Sequence, residues 1–129
     1  MLVTAGEKLV RVLGAAAIAT VVVIVANTLR DRGRADATRE LDDPNPRVRA
    51  AAASRLGASK HRGARALLEH ALLDREDTVR IAAATALCEL GDRAALPVLR
   101  EAMLDEEDAG VRAVIESTIE RLAGGSSAT

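Results

Sequence analysis

Hydrophobic and polar residues follow two different patterns along this chain. Between Val12 and Leu29 there are eighteen consecutive residues without a charge. After about Asp43, apolar residues instead recur every three or four positions, as they do along one face of an amphipathic helix. In the predicted helix 77–90, for example, they are Val79, Ala82, Ala83, Ala86, Leu87 and Leu90. The pattern predicts an all-α chain with an apolar N-terminal segment and an amphipathic helical region.

The uncharged run is long enough to cross a membrane as one helix. Eighteen helical residues extend about 27 Å, close to the roughly 30 Å thickness of the hydrocarbon layer. Nine of them are Val, Ile or Leu, whose transfer into lipid is favourable. We therefore predict a transmembrane helix over 12–29, with 1–11 as its N-terminal flank. Two alternatives stay open, a cleaved signal peptide with export of the remaining chain, and a buried helix of a soluble protein.

The charges beside this run predict its orientation. Two basic residues, Lys8 and Arg11, precede it. The four that follow are Arg30, Arg32, Arg34 and Arg39. Because basic residues are enriched on the cytoplasmic side of membrane helices, the bias predicts a single-pass protein with its C-terminal domain in the cytoplasm.

The amphipathic region repeats itself with a period of about 31 residues. Matches at this spacing are Val48-Arg49 with Val79-Arg80, Leu56 with Leu87, Leu68 with Leu99 and Leu73 with Leu104, and a spacing of 32 adds Val111-Arg112. A single helical hairpin cannot bury its apolar face, so such units stack on one another. We predict a short α-solenoid of about two and a half hairpins over 43–123. Residues 30–42 form a linker or a partial-repeat helix, and 124–129 a disordered tail.

Capping residues predict where the helices of this region begin and end. Asn45-Pro46 is a start signal, and Gly57 a stop signal, for the first helix. Gly91 ends the third helix and Asp92 caps the fourth. The predicted helices are 47–56, 63–73, 77–90, 94–104 and 109–122.

The most regular unit resembles a known repeat. Residues 79–99 read VRIAAATALCELGDRAALPVL, similar to the HEAT-like repeat of the phycobilisome-lyase type, with its pattern VRxxAAxALGxLGDxxAxPxL. Cys88 stands where that family usually has glycine, and the first unit lacks the second Leu-Gly and its Asp. The resemblance implies a non-catalytic scaffold. An accessory of a chromophore lyase is an alternative, although two and a half units make a small cradle for a tetrapyrrole.

The composition argues against catalysis and cofactor binding. The chain has no Trp, Tyr or Phe on which a base or flat cofactor would stack. Its single cysteine, Cys88, is interpreted as a small buried residue rather than a nucleophile. No spacing of His, Cys and Glu is typical of zinc, and no phosphate-binding loop or nucleophile motif occurs. We therefore predict no enzyme activity, cofactor or metal.

Recurring acids and arginines are interpreted as structural. They are Asp43, Asp74 and Asp105, with Arg49, Arg80 and Arg112. In a solenoid, equivalent residues lie one repeat apart, so each arginine can donate to a carboxylate or carbonyl of a neighbouring turn. The pattern predicts a ladder along the turns between helices.

An uneven charge distribution suggests where partners bind. Residues 30–65 carry ten basic and five acidic side chains, whereas 66–129 carry six and thirteen. Lys60, His61, Arg62 and Arg65 are candidates to contact anionic lipid or a membrane partner. A concave face formed by the second helices, with Arg65, Glu69, His70, Arg100 and Glu101, is the predicted docking surface for other subunits of a membrane complex. The alternative is a nucleic-acid-binding module using Arg47–Arg65, against which the lack of aromatics and the acidic C-terminal half weigh.

Overall fold

The computed structural model of the protein describes residues 5–125, and within this range all regular secondary structure is helical. The helices are α1 Ala5–Glu40, α2 Pro46–Ser59, α3 Ala64–Ala71, α4 Asp77–Leu90, α5 Leu96–Asp105 and α6 Ala109–Gly124, and a single 3-10 turn at Arg93–Ala95 precedes α5. The chain divides into two compact units at Ala35. The all-α prediction is confirmed.

The first unit, described from residue 5 to residue 35, is one continuous stretch of α1. Its large apolar side chains are exposed: Val12, Leu13, Ile18, Val21, Val22, Val23, Ile24, Val25 and Leu29. By length and composition, the helix is long and apolar enough to cross a membrane, and its most apolar window has no buried residue. The surface of this unit is therefore apolar over several turns, which is unusual for a helix that is covered only by water.

The second unit is a double row of helices. It begins with the last turn of α1, where Ala37 is buried. Helices α2, α4 and α6 pack side by side, while α3 packs on α2 and α4, and α5 packs on α6. The largest completely buried side chains come from all five helices after α1: Leu56, Leu68, Val79, Leu87, Leu99, Val111 and Ile115. This arrangement is the stack of hairpins that the repeat predicts.

The end of α2 differs from the prediction. The helix starts as expected, since the Asn45 side chain accepts a hydrogen bond of 3.0 Å from the Arg47 N–H. It does not stop at Gly57, however, but continues to Ser59 and ends at Lys60, whose φ of 48° is left-handed. Gly57 is buried inside the helix, and a Cβ there would lie 2.7 Å from the Cα of Ala86. The glycine permits close helix packing and was wrongly interpreted as a stop signal.

The other helix ends need smaller corrections. Helix α4 has the predicted bounds and ends at Gly91 with φ 70°. Helix α3 is shorter than 63–73, and the predicted start at Ala94 is instead the 3-10 turn, where Asp92 accepts a bond of 3.0 Å from the Ala94 N–H. Helix α6 includes Gly124. Of the predicted disordered tail, residues 126–129 lie outside the described range, as do residues 1–4 of the N-terminal flank.

Candidate interaction surfaces

Arg49 joins two successive turns of the stack. Its Nε and Nη2 donate to Asp74 Oδ2 and Oδ1 at 2.8 and 2.9 Å. Its Nη1 donates to the Asp43 carbonyl at 2.8 Å. The side chain is 6% exposed, so this forked contact links the turn before α2 to the turn before α4 with little competition from water.

Arg80 makes the same link one repeat later, with one change of partner. Its Nε and Nη2 donate to Glu106 Oε2 and Oε1 at 2.8 and 3.1 Å, and its Nη1 donates to the Asp74 carbonyl at 2.9 Å. Arg112 donates to the Glu106 carbonyl. The predicted Asp105 is exposed and takes no part in these bonds. The spacing explains the correction, because Glu106 follows Asp74 by 32 residues, as Arg112 follows Arg80.

The two carboxylates of the ladder are held in the charged form. Burial alone would raise the pKa of the Asp74 carboxyl, but hydrogen bonds from Arg49 and from the Glu76 N–H outweigh it, and the pKa lies below its ordinary value. Glu106 behaves in the same way, with burial opposed by bonds from Arg80 and from the Asp108 N–H. A carboxylate with all these donors and a depressed pKa is suited to holding turns together and not to accepting protons near neutral pH.

The predicted basic turn is only partly available for binding. Lys60 and Arg62 are exposed. The Nδ1 of His61 accepts a bond of 3.0 Å from the Gly63 N–H, within its own loop. Arg65 donates to Glu69 at 2.8 Å and pairs with Asp92 at 2.9 Å. The structure therefore leaves two exposed cations, Lys60 and Arg62, at this turn.

Some basic side chains of the stretch Arg47–Arg65 are likewise paired with acidic side chains. Arg49 and Arg65 pair as described, and Arg55 pairs with Glu40 at the end of α1. Half of the six basic side chains are thus engaged by acids of the same domain. A partly neutralised stretch gives weaker support to a nucleic-acid interface than the sequence count suggests.

The candidates on the second helices line different grooves. His70 lines a groove with Arg49 and Asp74, near the start of the stack. Glu101 lines a second groove, between α5 and the turn that follows α3, whereas Arg100 lines a third, between α5 and α6. Glu69 is bound to Arg65 within α3, and the docking face that these residues would form stays a prediction.

Sequence reasoning missed one of these surfaces. The third groove is lined by Arg100, Met103, Leu104, Glu116, Ile119 and Glu120 and has a volume of about 420 Å³. Met103 and Ile119 are half-buried, and Leu104 is 81% exposed. The half repeat at the end of the sequence indicates this groove. Helix α6 is the first helix of a unit, and no second helix follows it within the described residues to cover its side.

The structure also bears on the chemistry excluded above. Among the described residues, no group of His, Cys, Asp and Glu side chains is arranged to hold a metal ion. Cys88 is half-buried and lines a groove with Val114 and Thr118, so it is less enclosed than predicted.

Stacked hairpins whose turns are joined by repeated arginine contacts define an α-solenoid, a class of helical-repeat protein. A family model described as HEAT repeats matches residues 34–120. This chain therefore belongs to the HEAT repeat family, and its repeats form a protein-interaction module of the kind common in that family. No curated protein matches the chain. The predicted HEAT-like repeat is confirmed at the level of the family.

Proposed function

We propose that this protein is a membrane-anchored, non-catalytic binding subunit of a larger membrane complex. The apolar stretch of α1 holds the chain in the membrane, and the HEAT repeats bind another subunit. The observation that carries this proposal is the apolar surface of α1, whose most apolar window has no buried residue.

The energetics of α1 favour lipid over water. Nine Val, Ile and Leu residues, each contributing about −0.3 to −0.6 kcal/mol, favour insertion by roughly 3–5 kcal/mol. Two of the polar side chains in this stretch satisfy their hydroxyl groups within the helix, since Thr20 and Thr28 donate to the carbonyls of Ala16 and Ile24 at 2.8 Å. Internal hydrogen bonding of this kind is what a spanning segment requires.

The charge bias supports a cytoplasmic repeat domain. Four arginines follow the apolar stretch, and two basic residues precede it. The exposed Lys60 and Arg62 add positive charge that suits anionic headgroups. Lipid contact at this turn is therefore part of the proposal, as an addition to protein binding.

The repeated polar residues support a role without catalysis. The arginines and carboxylates with the most regular spacing are bonded to one another along the turns. The resemblance of residues 79–99 to the phycobilisome-lyase type of repeat supports that subtype. We place the protein with scaffolds that use such repeats for binding.

Membrane fractionation tests the anchor. The full chain should stay in the membrane pellet after carbonate extraction at high pH, and a Val22→Arg/Ile24→Arg chain should be released, because two charges at the centre of the span oppose insertion. Ala51→Arg/Ala58→Arg, which adds the same charges at exposed positions of α2, is the matched control and should remain in the pellet. Release of the unaltered chain, or a mature protein that lacks residues 1–29, would contradict the proposal.

Labelling with a membrane-impermeant maleimide tests the orientation. In a Cys88→Ser/Ser54→Cys chain, the only thiol is at an exposed position of α2. We expect no labelling in intact cells, and labelling once the cells are permeabilised so that the reagent reaches the cytoplasm. Labelling of intact cells would reverse the assigned topology.

Cross-linking in native membranes tests the binding role. The full chain should be recovered with a defined set of membrane proteins, and the Val22→Arg/Ile24→Arg chain should lose them. Recovery with RNA, removed by nuclease, would support the nucleic-acid alternative instead.

A further inference from the structure

Internal repetition shows what the end of the stack leaves uncovered. Leu72, which directly follows α3, is 2% exposed, whereas Met103, its equivalent 31 residues later, is half-buried. Leu87 in α4 is completely buried, whereas Ile119, 32 residues later, is half-buried. Inside the stack a further hairpin follows these positions, but after α6 no second helix follows within the described residues. The groove between α5 and α6 therefore corresponds to the place of one helix.

The outer side of α6 shows that the stack is not built to continue in the same way. Glu116 stands 32 residues after Ala84, which is completely buried and whose carbonyl accepts a bond from Thr118 of α6. A further first helix packed on α6 would bury the Glu116 carboxylate at this equivalent position, and an unpaired buried carboxylate is costly. The groove between α5 and α6 is lined by the apolar side chains of Met103 and Ile119. It therefore offers an apolar contact to a single helix.

The charge around the groove defines the chemistry of that helix. Glu116 and Glu120 line the α6 side, and both are exposed. The α5 side carries Arg100, so the lining has two carboxylates and one cation, and its negative charge lies on α6. A helix with cations on the side that faces α6 would meet opposite charge there, while an anionic helix would be repelled.

We propose that the groove between α5 and α6 binds one cationic amphipathic helix of a partner protein. The apolar edge of that helix packs on Met103, Leu104 and Ile119, and its lysines or arginines pair with Glu116 and Glu120. This inference deepens the proposed function and rests on its binding role, because it assigns the binding surface and the chemistry of the partner. It does not depend on whether α1 is inserted in a membrane.

A peptide titration tests the proposal on the full chain. The protein is placed in nanodiscs of zwitterionic phosphatidylcholine or, if carbonate releases the chain, is used in solution. The probe is a fluorescent helical peptide of about five turns, with leucines spaced three and four apart and lysines elsewhere. A second peptide has glutamate in place of each lysine. We expect saturable binding of the lysine peptide that weakens with salt, and no binding of the glutamate peptide or of either peptide to empty nanodiscs.

The repeat supplies a matched pair of variants for the apolar contact. Leu104→Ser should weaken binding about tenfold, while Leu73→Ser should leave it unchanged. The two leucines hold the same place in successive repeats and are 81% and 73% exposed, but only Leu104 lines the groove. Because both are exposed, neither change should alter thermal melting.

A second pair tests the charge contact. Glu116→Gln/Glu120→Gln should weaken binding of the lysine peptide about tenfold, and Glu89→Gln, on the exposed side of α4, should have no effect. Equal binding by all variants, binding of both peptides with the same affinity, or no binding would overturn the proposal. A dimer of the chain, seen by light scattering and lost in Leu104→Ser, would overturn it in favour of a second copy. None of these results changes carbonate extraction, so failure here is distinguishable from failure of the anchor.

Discussion

The two junctions between neighbouring first helices of the stack show how one repeat pattern produces two packing solutions. Where α2 meets α4, Gly57 lies against Ala86 so closely that an added Cβ would be 2.7 Å from its Cα. At the α4–α6 junction the equivalent residues are Cys88 and Thr118, and both have side chains that line a groove. The first junction depends on the absence of a side chain, whereas the second accommodates one. A repeated spacing of helices along the sequence therefore does not impose the same side-chain packing at each junction.

Polar contacts differ between the junctions as well. The Thr118 hydroxyl lies 3.2 Å from the Ala84 carbonyl, across the second junction, and 2.9 Å from the Val114 carbonyl of its own helix, and the two acceptors share its one hydrogen. The arginine contacts are alike, since Arg49 and Arg80 each bind a carboxylate with two nitrogens and a carbonyl with the third. The turns are therefore held in the same way while the helices pack differently.

Because the chain lacks aromatic residues, melting is best followed by circular dichroism at 222 nm.

Substitution of Gly57 should have the largest effect. Gly57→Val places a branched side chain where even a Cβ does not fit, so the helices must separate, and the free energy of unfolding should fall by about 3 kcal/mol. Cys88→Val, at the equivalent position of α4, should change it by less than about 1 kcal/mol. Equal losses in the two variants, measured by denaturant unfolding, would show that the junctions do not differ.

Loss of either ladder arginine should have the next largest effect. Arg49→Ala and Arg80→Ala leave Asp74 and Glu106 without their forked donor, and each should lower the melting temperature by about 5–10 °C. Lysine at either position should restore only part of this, because an ammonium group does not form the forked contact. The exposed Arg75 is the control, and Arg75→Ala should melt within about 2 °C of the unaltered protein. Unchanged melting of Arg80→Ala would remove the ladder as a source of stability.

Acid should weaken both junctions together. The pKa values of Asp74 and Glu106 are lower in the folded state than their ordinary values, so their stabilising effect is present above the unfolded values of about 4 and is lost as the pH falls through the folded ones. Melting temperature should be nearly constant between about pH 7 and pH 5 and fall below about pH 4. Asp74→Asn/Glu106→Gln should melt lower at neutral pH and show a shallower acid dependence. An unchanged acid slope in this variant would assign the effect to other carboxylates.

The Thr118 hydroxyl should have the smallest effect. Thr118→Val keeps the shape of the side chain and removes the bond to Ala84, so the free energy of unfolding should fall by about 1 kcal/mol. Thr85→Val, at an exposed position of α4, should be within about 0.5 kcal/mol of the unaltered protein. A Thr118→Val chain as stable as the parent would leave packing alone as the basis of the second junction.

Local features of this chain could be predicted from its sequence more accurately than contacts between distant residues. Helix α4 has its predicted bounds, because capping signals and apolar period agree there, and the HEAT family was recognisable from residues 79–99. Glu106 was missed, although the later Val111-Arg112 pair already showed the extra residue in the preceding turn. Gly57 was misread, because a glycine that ends a helix and one that permits close packing look alike in a sequence. The pairing of Arg65 with Glu69 and Asp92 was not predicted, because it depends on three-dimensional contacts.

The sequence by itself determined the number of repeats, the helical class and the apolar character of α1. These properties depend on local periodicity and composition, which can be determined from the sequence without knowing any contact. Tertiary structure alone decided which carboxylate each arginine binds, how closely α2 approaches α4, and which apolar side chains the stack leaves uncovered. Those outcomes depend on distances between residues about 30 positions apart, where one inserted residue or one missing Cβ changes the contact without changing the pattern.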